Sequence, residues 1–221
     1  MERKVKFAKN EYYHLYSRGV EKRKIFIDKK DYERFMALLY ILNQPDQFHF
    51  ANFLKNKKLG EIFNEQKEKT LVSIISYTLM PNHFHILVYE KEDGGISKFM
   101  MRLLTAYSMY FNTKYERSGP LFTHPFRSQH VSNESQYLWI FSYIHLNPIK
   151  IIKKDFKENG IGDKDLAKKF LESYKYSSYL EYQKTNRPES KILDISLIPD
   201  YLKGVNLNIE KYLELYSQTQ K

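Results

Sequence analysis

The stretch at residues 77–90, YTLMPNHFHILVYE, limits the possible folds more than any other part of the chain. Two β-prone runs, LVSIISYTL and HFHILVYE, are separated only by Met80, Pro81 and Asn82. That gap is long enough for a tight turn and nothing more, so the sequence predicts an antiparallel hairpin. Alternate side chains of a strand leave opposite faces, which puts His83 and His85 on one face and Phe84, Ile86 and Val88 on the other. The apolar face needs a covering layer. The histidine face needs an explanation.

The flanking segments supply the cover. YYHLYSR at 12–18 reads as a strand ending at Gly19, and Phe35, Met36, Leu39 and Leu42 recur at helical spacing over 31–43, with Asp28 or Asp31 placed to cap and Pro45 beyond the end. After the break at 93–95, Phe99, Leu103, Tyr107 and Tyr110 mark an amphipathic helix over 97–114. ERSGPLFTHPFRSQHV reads as a loop with a short strand. Asn133, with Gln136 three residues on, caps a helix that Pro148 stops near Asn147. The order β, α, β, β, α predicts an α+β fold, a ferredoxin-like antiparallel sheet with helices on one face. Residues 1–150 form the main domain, 46–69 are a partly helical insertion, and 151–221 are a mainly helical extension.

The formal net charge of +10, from 36 Lys and Arg against 26 Asp and Glu, is spread along the chain and favours polyanionic partners. The 19 Tyr and 15 Phe stand against a single Trp, and rings beside cations suit stacking on unpaired bases. With no cysteine, thiolate metal sites and disulfides are excluded. No run approaches the roughly 18 apolar residues of a membrane span, and the start of the chain lacks a signal-peptide core. The expectation is a cytoplasmic, nucleoid-associated protein with no membrane partner.

Two imidazoles on one strand face offer nitrogen ligands to a single cation. On the helix NESQYLWIFSYIHLNPIK, Tyr143 and Asn147 lie four residues apart and share a face. There Asn147 could give an oxygen to the cation, and Tyr143 a hydroxyl able to attack a phosphate. Equally, Tyr143 could pack in the core while Asn147 merely precedes a helix-ending proline. Spacing does not choose between these.

MPNHFHIL resembles the His-hydrophobic-His motif of single-tyrosine HUH transposases, and YIHLNPIK resembles the tyrosine motif of the branch known as REP-associated tyrosine transposases. YYHLYSRGVEKRKIF, RSGPLFTHPFR and YKYSSYLEY are similar to further motifs of that family in the same order, so that the likeness covers most of residues 12–183. The resemblance implies an HUH endonuclease core with Tyr143 as nucleophile and with His83, His85 and Asn147 holding Mg²⁺ or Mn²⁺. It implies cleavage and rejoining of single-stranded DNA near hairpins through a 5′-phosphotyrosine. Expected contacts to single-stranded or hairpin DNA are Arg18, Arg102, Arg117 and Arg127. Two features depart from the family pattern: His124 and Pro125 stand where relatives carry a more basic Gly-Arg-Phe-Lys sequence, and the insertion at 46–69 is long. Two rival readings are a catalytically inactive or domesticated hairpin-binding protein, and a metal hydrolase unrelated to DNA with His14 or another histidine as third ligand. Monomer and homodimer are both left open.

Overall fold

A computed structural model describes residues 6–203 and 210–213. Strands β1 (Tyr12–Arg18), β2 (Val72–Met80), β3 (His83–Glu90) and β4 (Arg127–Val131) make one antiparallel sheet in the order β2-β3-β1-β4. Helix α1 (Lys29–Ile41) connects β1 to β2, followed by α2 (Phe50–Asn56) within the insertion, and α3 (Gly95–Lys114) connects β3 to β4. This is the ferredoxin-like α+β arrangement expected from the pattern. β1 matches its predicted span residue for residue.

Local chemistry sets the helix starts. Asp28 caps α1 by accepting from the Asp31 amide at 3.1 Å, while Asp31 accepts in return from the Asp28 amide at 3.2 Å, so the two alternative caps are the two halves of one box. α3 begins at Gly95, two residues earlier than predicted, and only glycine fits there, since a Cβ would lie 2.4 Å from the Leu71 carbonyl oxygen. The buried Glu90 carboxylate accepts from the Ile96 amide at 2.7 Å and satisfies this helix start.

Phe84, Ile86 and Val88 are fully buried against α1 and α3, each contributing roughly 1.5–3 kcal/mol of burial free energy. β2 joins the same layer through Val72, Ile74, Tyr77 and Leu79, a set that breaks strict alternation. The register shift between Ile74 and Ser76 accounts for it. One extra residue, Ile75, turns the second half of the strand over, so that Ser76 and Thr78 face the histidine side.

The expectation of helices on one face holds for α1 and α3, but the structure adds a second layer. Helix α4 (Glu134–Leu146) covers the histidine-bearing face with the segments that follow it: α5 (Phe156–Asn159), α6 (Lys164–Ser173) and α7 (Tyr179–Tyr182). Ile75, Leu87 and Val131 of the sheet pack there with Ile140, Phe141, Ile144 and Leu171. The same extension closes the open edge of β2. Leu79 N donates to the Tyr176 carbonyl at 2.9 Å, Ser178 N to the Tyr77 carbonyl at 3.0 Å and Asp194 N to the Ile74 carbonyl at 2.9 Å. An edge strand left bare would invite pairing with another chain. All nine residues of β2 are buried.

Within the insertion, Phe53, Ile62 and Phe63 pack into the α1 and α3 core, so this segment lies in the layer far from the histidines. Among the described residues no helix is long and apolar enough to cross a membrane.

Candidate active site

The sheet register assembles the site. Opposite His83 and His85 on β3 stand Arg18 and Tyr16 of β1, and opposite Tyr16 stands Arg127 of β4. Paired residues share a face, so β1 contributes Tyr12, His14, Tyr16 and Arg18 to the histidine side. A cavity of about 400 Å³ opens there, lined by Tyr16, Ser17, Arg18, His83, His85, Thr123, His124, Arg127, Tyr143 and Lys150. Three of these are cations and none is a carboxylate.

α4 delivers the tyrosine. Asn133 caps it by accepting from the Gln136 amide at 2.9 Å, as the sequence predicts. At its other end the α-helix stops at Leu146, capped by Asn147, as Pro148 predicts. The chain then continues as a 3₁₀ turn over Asn147–Ile151 that carries Lys150 back toward the cavity. Trp139, Tyr143, Asn147 and Lys150 thus follow at spacings of four, four and three. The Trp139 ring stacks parallel on Tyr143, with centroids 5.1 Å apart and planes 2° off, and the Lys150 ammonium lies 5.2 Å from the Tyr143 centroid. The His85 ring meets Tyr143 edge-on at 5.2 Å. Tyr143 is 9% exposed, and it lines the cavity.

The two histidine rings lie 5.0 Å apart and perpendicular. Each has its Nδ1 engaged: His83 with Asn82 Oδ1 at 2.6 Å, His85 with His14 Nε2 at 2.8 Å. Asn82 donates its amide nitrogen to the Lys22 carbonyl at 3.2 Å, which turns its oxygen toward His83. His83 therefore donates from Nδ1 and keeps Nε2 as a lone pair. Burial, reinforced by the Arg18 and Lys150 charges and opposed by Asn147, pushes His83 down to about 3, so it stays neutral and able to ligate at ordinary pH.

Asn147 is fully buried beside His83, with whose ring its side chain interacts, and its amide atoms have no other hydrogen-bond partner among the described residues. A buried amide with so few partners is costly. A cation beside His83 would give its oxygen a partner. Among the described residues no group of three or more His, Cys, Asp or Glu is placed to hold a metal ion, and His83, His85 and Asn147 together offer two imidazoles and an amide oxygen. Such mixed nitrogen and oxygen sets suit hard or borderline divalent ions. The residues fit the expected cation.

Of the four arginines expected to contact DNA, Arg18 and Arg127 line the cavity. The other two arginines are not brought there. Arg102 donates to the carbonyls of Gln44, Pro45 and Asp46 at 2.7–3.1 Å, holding the turn after α1, and Arg117 bonds Asn112 Oδ1 at 2.9 Å beside the Phe111 ring. Sequence reasoning missed Tyr16, His124, Trp139 and Lys150 as neighbours of the site, and it weighed His14 only as a ligand. The i, i+4, i+8, i+11 stripe on α4 and the alternation along β1 were the signals available.

Residues 8–147, well over half of the chain, match the family described as Transposase IS200 like. The chain belongs to this transposase family. The matched segment contains both histidines and closes on Asn147, so the proposed site lies inside it. A solved structure of the REP-associated tyrosine transposase bound to a REP hairpin shares the fold, with a TM-score of 0.51 at 11% identity over 90% of this chain and 92% of that one. The likeness of fold therefore extends past Asn147 into the C-terminal extension. No curated protein matches the chain.

Proposed function

We propose that this IS200-like transposase family member cleaves and rejoins single-stranded DNA beside hairpins, with Tyr143 as nucleophile and a divalent Mg²⁺ or Mn²⁺ ion held by His83, His85 and Asn147. The observation that carries the reading is the meeting of the tyrosine of α4 with the His85 ring, 5.2 Å between centroids, in a cavity with three cations and no carboxylate. A site built for hairpin binding alone would need the cations but not a stacked, oriented phenol next to two imidazoles that share one strand face.

In this reading Arg18, Arg127 and Lys150 hold the DNA backbone in the cavity by charge. The parallel Trp139 ring fixes the plane of the Tyr143 phenol, so that its oxygen meets the scissile phosphorus in line with the leaving oxygen. When bound, the cation supplies Lewis-acid polarisation of the phosphate. The Tyr143 Oη–P bond forms, the P–O3′ bond breaks and the phenol proton passes to solvent. The 3′ oxygen leaves as a hydroxyl after taking up a proton. One phosphodiester is exchanged for another, so a second 3′-hydroxyl can reverse the step without ATP.

Tyr143→Phe removes one oxygen and leaves the Trp139 stack in place. We expect unchanged folding and hairpin binding, with strand cleavage lost by at least about 1000-fold. Wild type with labelled hairpin DNA and Mn²⁺ gives a denaturation-resistant adduct that mass spectrometry maps to Tyr143. An adduct on another tyrosine, or cleavage by the phenylalanine variant, refutes the assignment.

A further inference from the structure

His83 and His85 present their Nδ1 atoms to partners of different kinds. For His83 the partner is an amide oxygen, which only accepts. For His85 it is the Nε2 of a third histidine, His14, which in a neutral ring can donate or accept. His14 is itself held firmly. It is 4% exposed, stacks on Tyr16 with centroids 5.0 Å apart and planes 27° off, and stacks on His85 at 5.0 Å and 19°. Its own Nδ1 has no hydrogen-bond partner among the described residues.

We infer that His14 is a positioning residue, not a ligand: by accepting the Nδ1 proton of His85 it fixes the tautomer and ring orientation that direct His85 Nε2 toward the cation. This rests on the reading of His83, His85 and Asn147 as the ligand set. A histidine that ligates through one nitrogen ordinarily donates a hydrogen bond from the other, and that partner governs both ring angle and basicity. Asn82 has this role for His83, and β1 supplies the counterpart for His85. The geometry disfavours His14 as a third ligand, because its Nε2 is occupied 2.8 Å from His85 Nδ1 and, in the neutral tautomer that accepts there, its Nδ1 carries the proton.

The test is Mn²⁺ binding by the full chain without DNA, read from the EPR signal of the free ion, in wild type and in His14→Gln, His14→Asn, His14→Leu and His83→Ala. Glutamine carries its oxygen to about the position of the imidazole Nε2, whereas asparagine ends a bond short. We expect His14→Leu and His14→Asn to bind Mn²⁺ about 10- to 100-fold more weakly and His14→Gln to recover most of the loss. Melting curves verify that the variants are folded. A ¹⁵N-histidine spectrum of wild type loaded with Mg²⁺ requires no variant, and should show the His85 proton on Nδ1. Equal affinities in wild type, His14→Leu and His14→Asn, or a His85 proton on Nε2, overturn the inference and leave the ligand set standing. If His83→Ala binds Mn²⁺ as wild type does, or if wild type binds none, the ligand set itself fails.

Discussion

At the scale of single residues, Asn147 is where stability and function pull apart. Its side chain is buried beside His83 with no other hydrogen-bond partner among the described residues, just past a helix that buries Ile140, Phe141 and Ile144. Leaving such a group unpaired costs about 1–3 kcal/mol. Asn147→Leu keeps the branch point, removes both polar atoms and adds volume, so relief of the amide offsets overpacking, and the melting temperature of the metal-free protein should stay within the roughly 2–4 °C that about 1 kcal/mol moves a chain of this size. The same variant should lose the stabilisation that Mn²⁺ gives wild type. Thermal unfolding with and without Mn²⁺ measures both effects. A destabilised variant that still responds to Mn²⁺ would mean that the amide serves packing alone.

At the scale of elements, the strap along β2 depends on one ion pair. Arg187 donates to both carboxylate oxygens of Glu181, at 2.7 and 2.9 Å, and to the carbonyl of Ser177 at 2.8 Å, with side-chain exposures of 12% and 6%. Removing one partner strands a buried charge, so Arg187→Met should cost about 3–5 kcal/mol in urea unfolding, and the double variant Arg187→Met, Glu181→Leu should recover much of it. Much of the element plan was legible beforehand. The polar residues Ser73, Ser76 and Thr78 of β2 spell out the bulge once the strand is known, and the caps of α1 and α4 stand in the sequence. The second layer was harder to read. α4 buries apolar residues around most of its circumference, so its pattern did not say which side of the sheet it covers. YKYSSYLEY works as a strap through backbone and hydroxyl bonds, which leave no hydrophobic period. Arg102 and Arg117 were indistinguishable from Arg18 and Arg127 by type, because whether an arginine meets phosphate or a carbonyl depends on tertiary placement. Tyr143 and Asn147 were readable as a pair by spacing, but only the fold brings them to β3.

For the molecule as a whole, buried neutral histidines govern the acid side of its stability. Burial, slightly opposed by the Phe141 carbonyl, holds His145 down to about 3 where it bonds Ser178 at 2.8 Å, and burial holds His14 at a similar value. The unfolded chain takes up these protons near the ordinary histidine value of about 6.5, so stability is full above that pH and declines as pH falls toward 3. Asp31 does not contribute over the upper part of that range, because hydrogen bonds from Lys114, Tyr115 and two backbone amides outweigh its burial and keep it ionised. Urea midpoints should fall between pH 7 and pH 5, and His145→Gln, which keeps a polar atom toward Ser178 but cannot titrate there, should flatten the fall without abolishing it. A slope unchanged in the variant would mean that His145 is not neutral in the fold. α4 follows β4 directly and lies on the histidine-bearing face of its own sheet, so the phenol and the imidazoles are encoded and folded together. Under the proposed reading, defects in this site are private to each polypeptide: a cell making one version broken at Tyr143 and another broken at His85 has two dead proteins, with nothing to lend each other.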